Sequence, residues 1–267
     1  EAGGYNVQEL GFALNWAVEY FSRLTDKGLD MDLIAGRTTL VLGIGSDYFM
    51  EMAKLRAARM LWAYMVQGFG PVKESSKVAF VHATVSSWNK SVYDPYVNLL
   101  RSATEAMSAA LGGADSIHVS DFSEAFRPSD DFSARIARNQ QIILKEESFF
   151  NRIVDPAAGS YYIENLTANL AGEAWKLFLD TESKGRFAAC YEKGLVQDKI
   201  AECAAKRNAD LAKRKIVLTG VNQFPNLNEQ EAENIRSTAR EFAKEGDFKT
   251  IRPYRAAQAF EELRLQT

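Results

Sequence analysis

The 267-residue sequence predicts an α/β protein, a parallel sheet of about three strands with helices outside it, followed by a mostly helical extension. Three observations carry this. Short β-branched, apolar runs begin near residues 38, 78 and 116, a spacing of about 40. Each run is followed by a polar loop and then by apolar residues at helical spacing. The composition, 46% hydrophobic and 25% charged, is that of a globular domain and excludes a disordered, collagen-like or coiled-coil chain.

The elements follow in order. Asn6 and Glu9 have the spacing of a helix N-terminal capping pair; Leu10, Leu14, Ala17, Val18, Phe21 and Leu24 then mark one helix face, closed at Gly28. Thr38-Thr39-Leu40-Val41-Leu42 predicts a buried strand ending in Gly43-Ile44-Gly45, and Ser46 is the expected cap of a helix running through Met52, Leu55 and Trp62 to Gly68. The pattern repeats. Lys77 to His82 predicts a second strand, Asp94-Pro95 opens a helix that Gly112-Gly113 closes, and Asp115 to Val119 predicts a third strand ahead of a helix from about Asp131 to Glu147. Such a βα order fits an open sheet or part of an eight-stranded barrel.

Past residue 150 the grammar changes. Asp155 to Tyr162 is turn-rich, helices are expected at roughly 165–182 and 195–213, and Ile216 to Thr219 is a further candidate strand. A loop spans Asn222 to Asn228, the tail from about Glu229 is charged and helical in character, and Ala259 to Arg264 reads as a docking segment or linker. The main boundary is set near residue 150, dividing 1–150 from 151–267.

Composition removes several functions. With 32 Lys+Arg against 35 Asp+Glu the net charge is −3, so the chain lacks the basic field that nucleic acid or an anionic membrane requires. No apolar run approaches the ~18 residues of a membrane span. Two cysteines, Cys190 and Cys203, make neither a disulfide framework nor a zinc site, and a reducing, cytoplasmic setting is the default. Glu1-Ala2-Gly3-Gly4 reads as the edge of a longer chain and not as a signal peptide.

Ligands of parallel βα folds gather at the C-terminal strand ends, which selects Gly43 to Asp47, His82 to Trp88 and His118 to Glu124. Gly43-Ile44-Gly45 lacks the third glycine of a dinucleotide fingerprint and reads as a tight turn. His82 and His118 sit at equivalent places in consecutive units but lack a third metal ligand. Hydrogen bonding to an anionic or carbonyl ligand competes with a buried structural role. Asp121 and Glu124 read as the polar first turn of a helix or as acid/base groups. Arg56, Arg59, Arg135 and Arg138 are expected to pair with surface or interface carboxylates.

Several stretches resemble the methylmalonyl-CoA mutase family: Glu1 to Gly4, Gly43 to Gly45 with Phe49 to Arg59, Asp131 to Asn139, Asp155-Pro156 with Gly159 to Tyr162, and Gly220-Val221-Asn222. The matches are collinear over roughly residues 1–225. The resemblance implies the C-terminal portion of a (β/α)8 TIM barrel, its last three strands, followed by a helical linker. It implies an acyl-CoA mutase that interconverts methylmalonyl-CoA and succinyl-CoA by adenosylcobalamin radical chemistry.

Carried over residue by residue, Arg37 and Thr39 match a CoA-holding Arg and Ser, and His82 matches a substrate-binding His. Thr84 stands where active members carry a substrate-binding Gln. Ser120 replaces an Asn and Glu124 keeps a Glu, both facing the adenosyl group in active members. Ala157 replaces a Trp, and Thr84-Val85-Ser86-Ser87-Trp88 departs from Gln-Thr-Ser-Gly-Trp. No Asp-x-His-x-x-Gly cobalt-ligand motif occurs, so adenosylcobalamin is expected in the holoenzyme but not ligated by this segment, and no metal or catalytic residue is assigned. The pattern resembles the non-catalytic small subunit of a heterodimer, partnered by a catalytic large subunit, with acyl-CoA a candidate ligand. Helix Asp47–Gln67 is a candidate contributor to that interface. The alternative is a catalytic acyl-CoA mutase of different acyl specificity, which a Tyr-His pair ahead of Glu1 would favour. Three strands cannot close a barrel, so the isolated segment is expected to self-associate or to be marginally stable.

Overall fold

A computed structural model describes residues 1–229 and 249–266 of the chain. Helix α1 (Asn6–Asp26) and the short α2 (Met31–Ala35) precede strand β1 (Thr39–Ile44), and α3 (Tyr48–Gly68) leads to β2 (Phe80–Val85). Helix α4 (Val97–Leu111), β3 (Ser116–His118) and α5 (Asp131–Glu146) complete the βα series. Then come α6 (Tyr161–Ser183), α7 (Arg186–Glu192), α8 (Leu195–Ala212) and α9 (Gln258–Gln266). The three strands form one parallel sheet in the order β1-β2-β3.

The core lies between one sheet face and its helices. Leu40, Leu42 and Ile44 alternate with exposed or half-buried residues along β1, as Val81, Ala83 and Val85 do along β2, the period-two pattern of a strand covered on one side. All of these inward residues but Val85 join Leu10, Leu14 and Phe21 of α1, Leu55, Ala58, Leu61 and Trp62 of α3, and Leu170, Ala174 and Phe178 of α6 in one apolar cluster; Val85 packs with Ala106, Val119 and Ala137 in another. Phe21 and Trp62 meet edge to face at 5.5 Å, and the Trp62 indole N–H reaches the Ser76 carbonyl, which satisfies its polar atom in the core. Each such fully buried large side chain contributes about 1.5–3 kcal/mol.

Several sequence expectations shift. The capping residue of α1 is Tyr5, whose N–H donates to Gln8 Oε1 at 3.0 Å; Glu9 is used elsewhere. Asp47, not Ser46, precedes α3, and a 3-10 turn over Glu74–Lys77 delays β2 to Phe80. Asp94 adopts φ 50° and does not cap; α4 begins at Val97. Tyr161 and Tyr162 belong to α6 and not to the turn before it. Ile216 to Thr219 is no strand: it makes a lone bridge from Thr219 to Gln223, and among the described residues no strand runs beside it to extend a ladder. The charged tail expected from about Glu229 lies, beyond that residue, outside the described residues until Lys249.

A candidate ligand face and rim cleft

The second face of the sheet faces solvent. Register places Thr39 beside Phe80, Val41 beside His82 and Ser116, and Gly43 beside Thr84 and His118. Val41 is 64% exposed and Phe80 50%, so apolar side chains stand in the open next to the polar ones. Thr39, His82 and Thr84 therefore lie on one face at successive levels from the N-terminal to the C-terminal end of the strands. Arg37 is exposed just ahead of β1 at the lower end. His82 Nδ1 sits 2.7 Å from Ser116 Oγ on the neighbouring strand. His118 pairs with Thr84 and not with His82, so the two histidines share a face but stand one level apart, where equivalent positions were expected.

Ser120 and Glu124 are placed apart from that group, past the end of β3. They line a cleft of about 1120 Å³ together with Lys90, His118, Asp121, Arg127 and Arg138. Its opposite wall is the returning chain at Pro253 to Glu262. That segment is fastened to the loop after β2: Ala256 N–H donates to the Trp88 carbonyl at 2.7 Å, and the Arg255 guanidinium reaches the Lys90 carbonyl at 3.2 Å. Arg255 also pairs with Glu261 at 2.7 Å, and the buried Glu261 carboxylate accepts the Val92 N–H at 2.7 Å. Ala259 to Arg264 thus docks through α9.

Two buried lysines brace this region, one at the end of β1 and one in the loop after β2. Lys54 of α3 pairs with Glu51 and with Glu9 of α1 at 2.6 Å, and it donates to the Gly43 carbonyl. Glu9 accepts the Gly43 N–H at 2.6 Å. Burial works to lower Lys54, but Glu9 and Glu51 together hold its pKa above the ordinary lysine value. Burial pushes Glu51 up, with Lys54 opposing and Glu9 adding to the rise. Lys90, in the loop after β2, pairs with Glu105 at 2.6 Å and lies 3.0 Å from Asn89 Oδ1, with the Glu124 charge favouring its ionised form and the Arg101 charge opposing it. Burial lowers Lys90 and raises Glu105 against their mutual attraction.

The family model of methylmalonyl-CoA mutase matches residues 1–265. The chain belongs to the methylmalonyl-CoA mutase family. It is 47% identical to the methylmalonyl-CoA mutase small subunit of Porphyromonas gingivalis, over 100% of this chain and 44% of that protein. It is 45% identical to the methylmalonyl-CoA mutase of Rhizobium meliloti over 86% of the chain and 32% of the relative. The large subunit from Propionibacterium freudenreichii is 41% identical over 84% of the chain and 31% of its own length. The chain thus spans less than half the length of these relatives. The three parallel strands with outer helices are consistent with part of the mutase barrel.

In this chain the Gly43-Ile44-Gly45 stretch is not the tight turn expected of it. Gly43 and Ile44 are strand residues. A Cβ would come within 3.4 Å of Glu9 Oε1 at Gly43 and 3.3 Å of Glu51 Oε1 at Gly45, so the glycines admit two carboxylates against the backbone. Arg56 does pair with Asp155 and Glu164, and Arg59 with Asp115. Arg135 instead lies 5.9 Å from the Phe132 ring centre, and neither it nor Arg138 has an ion pair among the described residues. Helix α3 is largely consumed inside the chain: α6 and α1 cover it, which leaves Phe49, Met60 and Tyr64 as its exposed large apolar residues. Sequence reasoning missed Ser116, Glu9, Glu51 and both lysines. The one available signal was Lys54 with Glu51 one turn apart amid Met52, Ala53 and Leu55.

Proposed function

We propose that the chain is part of the non-catalytic small subunit of a heterodimeric methylmalonyl-CoA mutase, which supports the isomerisation of methylmalonyl-CoA and succinyl-CoA as partner of a catalytic large subunit in the cytoplasm. The observation that carries this is the 47% identity to a small subunit along 100% of the chain. The departures at Thr84, Ser120 and Ala157 support it: each is smaller than the residue of the active pattern, while the stretch Phe49 to Arg59 on α3 keeps the family's pattern.

The line of Thr39, His82 and Thr84 along the open face, with Arg37 at its foot, suits an extended acyl-CoA, the guanidinium meeting phosphate and the upper groups meeting acyl oxygens. Ser120 and Glu124 offer a hydroxyl and a carboxylate in the rim cleft, a donor set that fits the hydroxyls of an adenosyl group. Adenosylcobalamin, when bound to the holoenzyme, supplies the radical. In this reading its cobalt is ligated outside this segment; among the described residues no group of three or more His, Cys, Asp or Glu side chains can hold a metal ion. No described helix is long and apolar enough to cross a membrane.

The deciding experiment is mutase turnover by the full-length protein with adenosylcobalamin and methylmalonyl-CoA, first alone and then with a catalytic large subunit. The expected result is no turnover alone and stable association with an active partner. Turnover alone overturns the small-subunit reading and makes Thr84 and Ser120 specificity residues of a catalytic mutase.

A further inference from the structure

On the open face His82 is the polar side chain with a fixed partner, and that partner is on a different strand. Ser116 Oγ lies 2.7 Å from His82 Nδ1 across the β2–β3 ladder, where the two residues are direct register neighbours. Both side chains are half-buried, and both backbones are held by the sheet. Among the described residues the Ser116 hydroxyl has no second partner, and neither does His82 Nε2. A hydroxyl carries one proton to donate and lone pairs to accept, and a neutral imidazole has one nitrogen of each kind. If Nδ1 is the donor, Nε2 is a bare acceptor with no proton to offer an acyl oxygen. If the hydroxyl donates, Nδ1 accepts, and the ring proton resides on Nε2.

We infer that Ser116 is a positioning residue for His82: its hydroxyl donates to Nδ1, fixes the Nε2–H tautomer, and holds that N–H ready for an acceptor oxygen of the acyl group. The inference deepens the reading of this face as an acyl-CoA site and rests on it. Strand-borne groups fixed by a neighbour hold their geometry more closely than loop groups do, and here one cross-strand hydrogen bond sets both ring orientation and proton position. A net hydrogen bond of ordinary strength makes the oriented ring worth about a 3–10-fold preference for a ligand bearing the oxygen.

The test uses the full-length protein, labelled with 15N-histidine, alone and with its large subunit. Long-range 1H–15N spectra report which ring nitrogen of His82 carries the proton, the signal being identified by its loss in His82→Gln. Calorimetry with succinyl-CoA and with free CoA reports the acyl preference. The wild type is expected to show Nε2–H and to prefer succinyl-CoA over CoA. Ser116→Ala is expected to disturb the tautomer and reduce the preference about 3–10-fold, with CoA binding unchanged, and Ser116→Thr, which keeps the hydroxyl and suits a strand, to restore both. A wild-type Nδ1–H signal, or a preference that survives Ser116→Ala intact, overturns the role of Ser116 while leaving the face an acyl-CoA site. A wild type that binds succinyl-CoA no better than CoA overturns the acyl-CoA reading itself and the inference with it.

Discussion

Lys54 and Lys90 are both almost fully enclosed, at 1% and 2% side-chain exposure, yet their surroundings treat the charge in opposite ways. Lys54 is ion-paired with two carboxylates and stands above the ordinary lysine pKa; Lys90 is ion-paired with Glu105, has the Arg101 charge working against it, and stands below. The desolvation penalty is of the same kind in each, so the balance of surrounding charges decides which lysine stays firmly ionised: two paired acids at Lys54, against Glu105 and Glu124 opposed by Arg101 at Lys90. Their work differs as well. Ile44 turns its carbonyl to Ser86 on the β2 side, so Gly43, one residue earlier, presents its groups to the outer edge, where Glu9 and Lys54 satisfy them. Lys90 acts within a loop: with Glu105 and Asn89 it stiffens the segment to which the Arg255 stretch is tied. One cluster ends a sheet edge and the other supports a cleft wall.

The largest effect that tests this contrast is expected from Lys54→Met. It strands the buried Glu51 carboxylate and the half-buried Glu9 and removes the donor to the Gly43 carbonyl, so the loss is about 3–5 kcal/mol. Thermal unfolding of the full-length protein should show the corresponding midpoint falling by roughly 10 °C. A loss under about 1 kcal/mol would mean that the rim end of β1 does not depend on this cluster.

Lys90→Met should cost less, about 2 kcal/mol, because the Glu105 left behind is already pushed toward its neutral form by burial and can take up a proton. Lys90→Met combined with Glu105→Gln should return to within about 1 kcal/mol of the wild type, since removing a buried pair together is far milder than orphaning one member. A double variant no better than the single one would place Lys90 in the same class as Lys54 and erase the distinction between the clusters.

The same contrast explains what was legible in the sequence. The helix-covered face could be read because its determinants are local: Leu40, Leu42 and Ile44 alternate within one strand, and Leu10, Leu14 and Phe21 recur within one helix. Short elements were harder. Helix α7 spans seven residues between Gly185 and Gly194, both at positive φ, too short for a period to show. The clusters were harder to see for another reason: Glu9 meets Lys54 across 45 positions, and Lys90 meets Glu105 across 15, and the local sign was Glu51 one turn from Lys54. The resemblance to the mutase family supplied Thr39, His82 and Thr84 as candidates, but Ser116 emerged only when the β2–β3 register set it beside His82.

The smallest and sharpest probe is Glu51→Gln. Burial holds the Glu51 pKa above its unfolded value, so the folded chain binds the proton more tightly than the unfolded one. Stability contributed by this group is therefore highest at acid pH and falls as pH rises from the ordinary glutamate value through the raised one, leaving a penalty at neutrality. Glutamine removes that penalty while Glu9 continues to pair with Lys54 and to accept the Gly43 N–H. Glu51→Gln is expected to stabilise the protein at pH 7 by on the order of 1 kcal/mol and to lose that advantage near pH 4. Parallel unfolding curves for variant and wild type across this range check it. A variant less stable at pH 7 would show that Lys54 requires both carboxylates to remain charged, which would make the pairing of one lysine with two acids, and not burial alone, the reason the β1 edge holds its form.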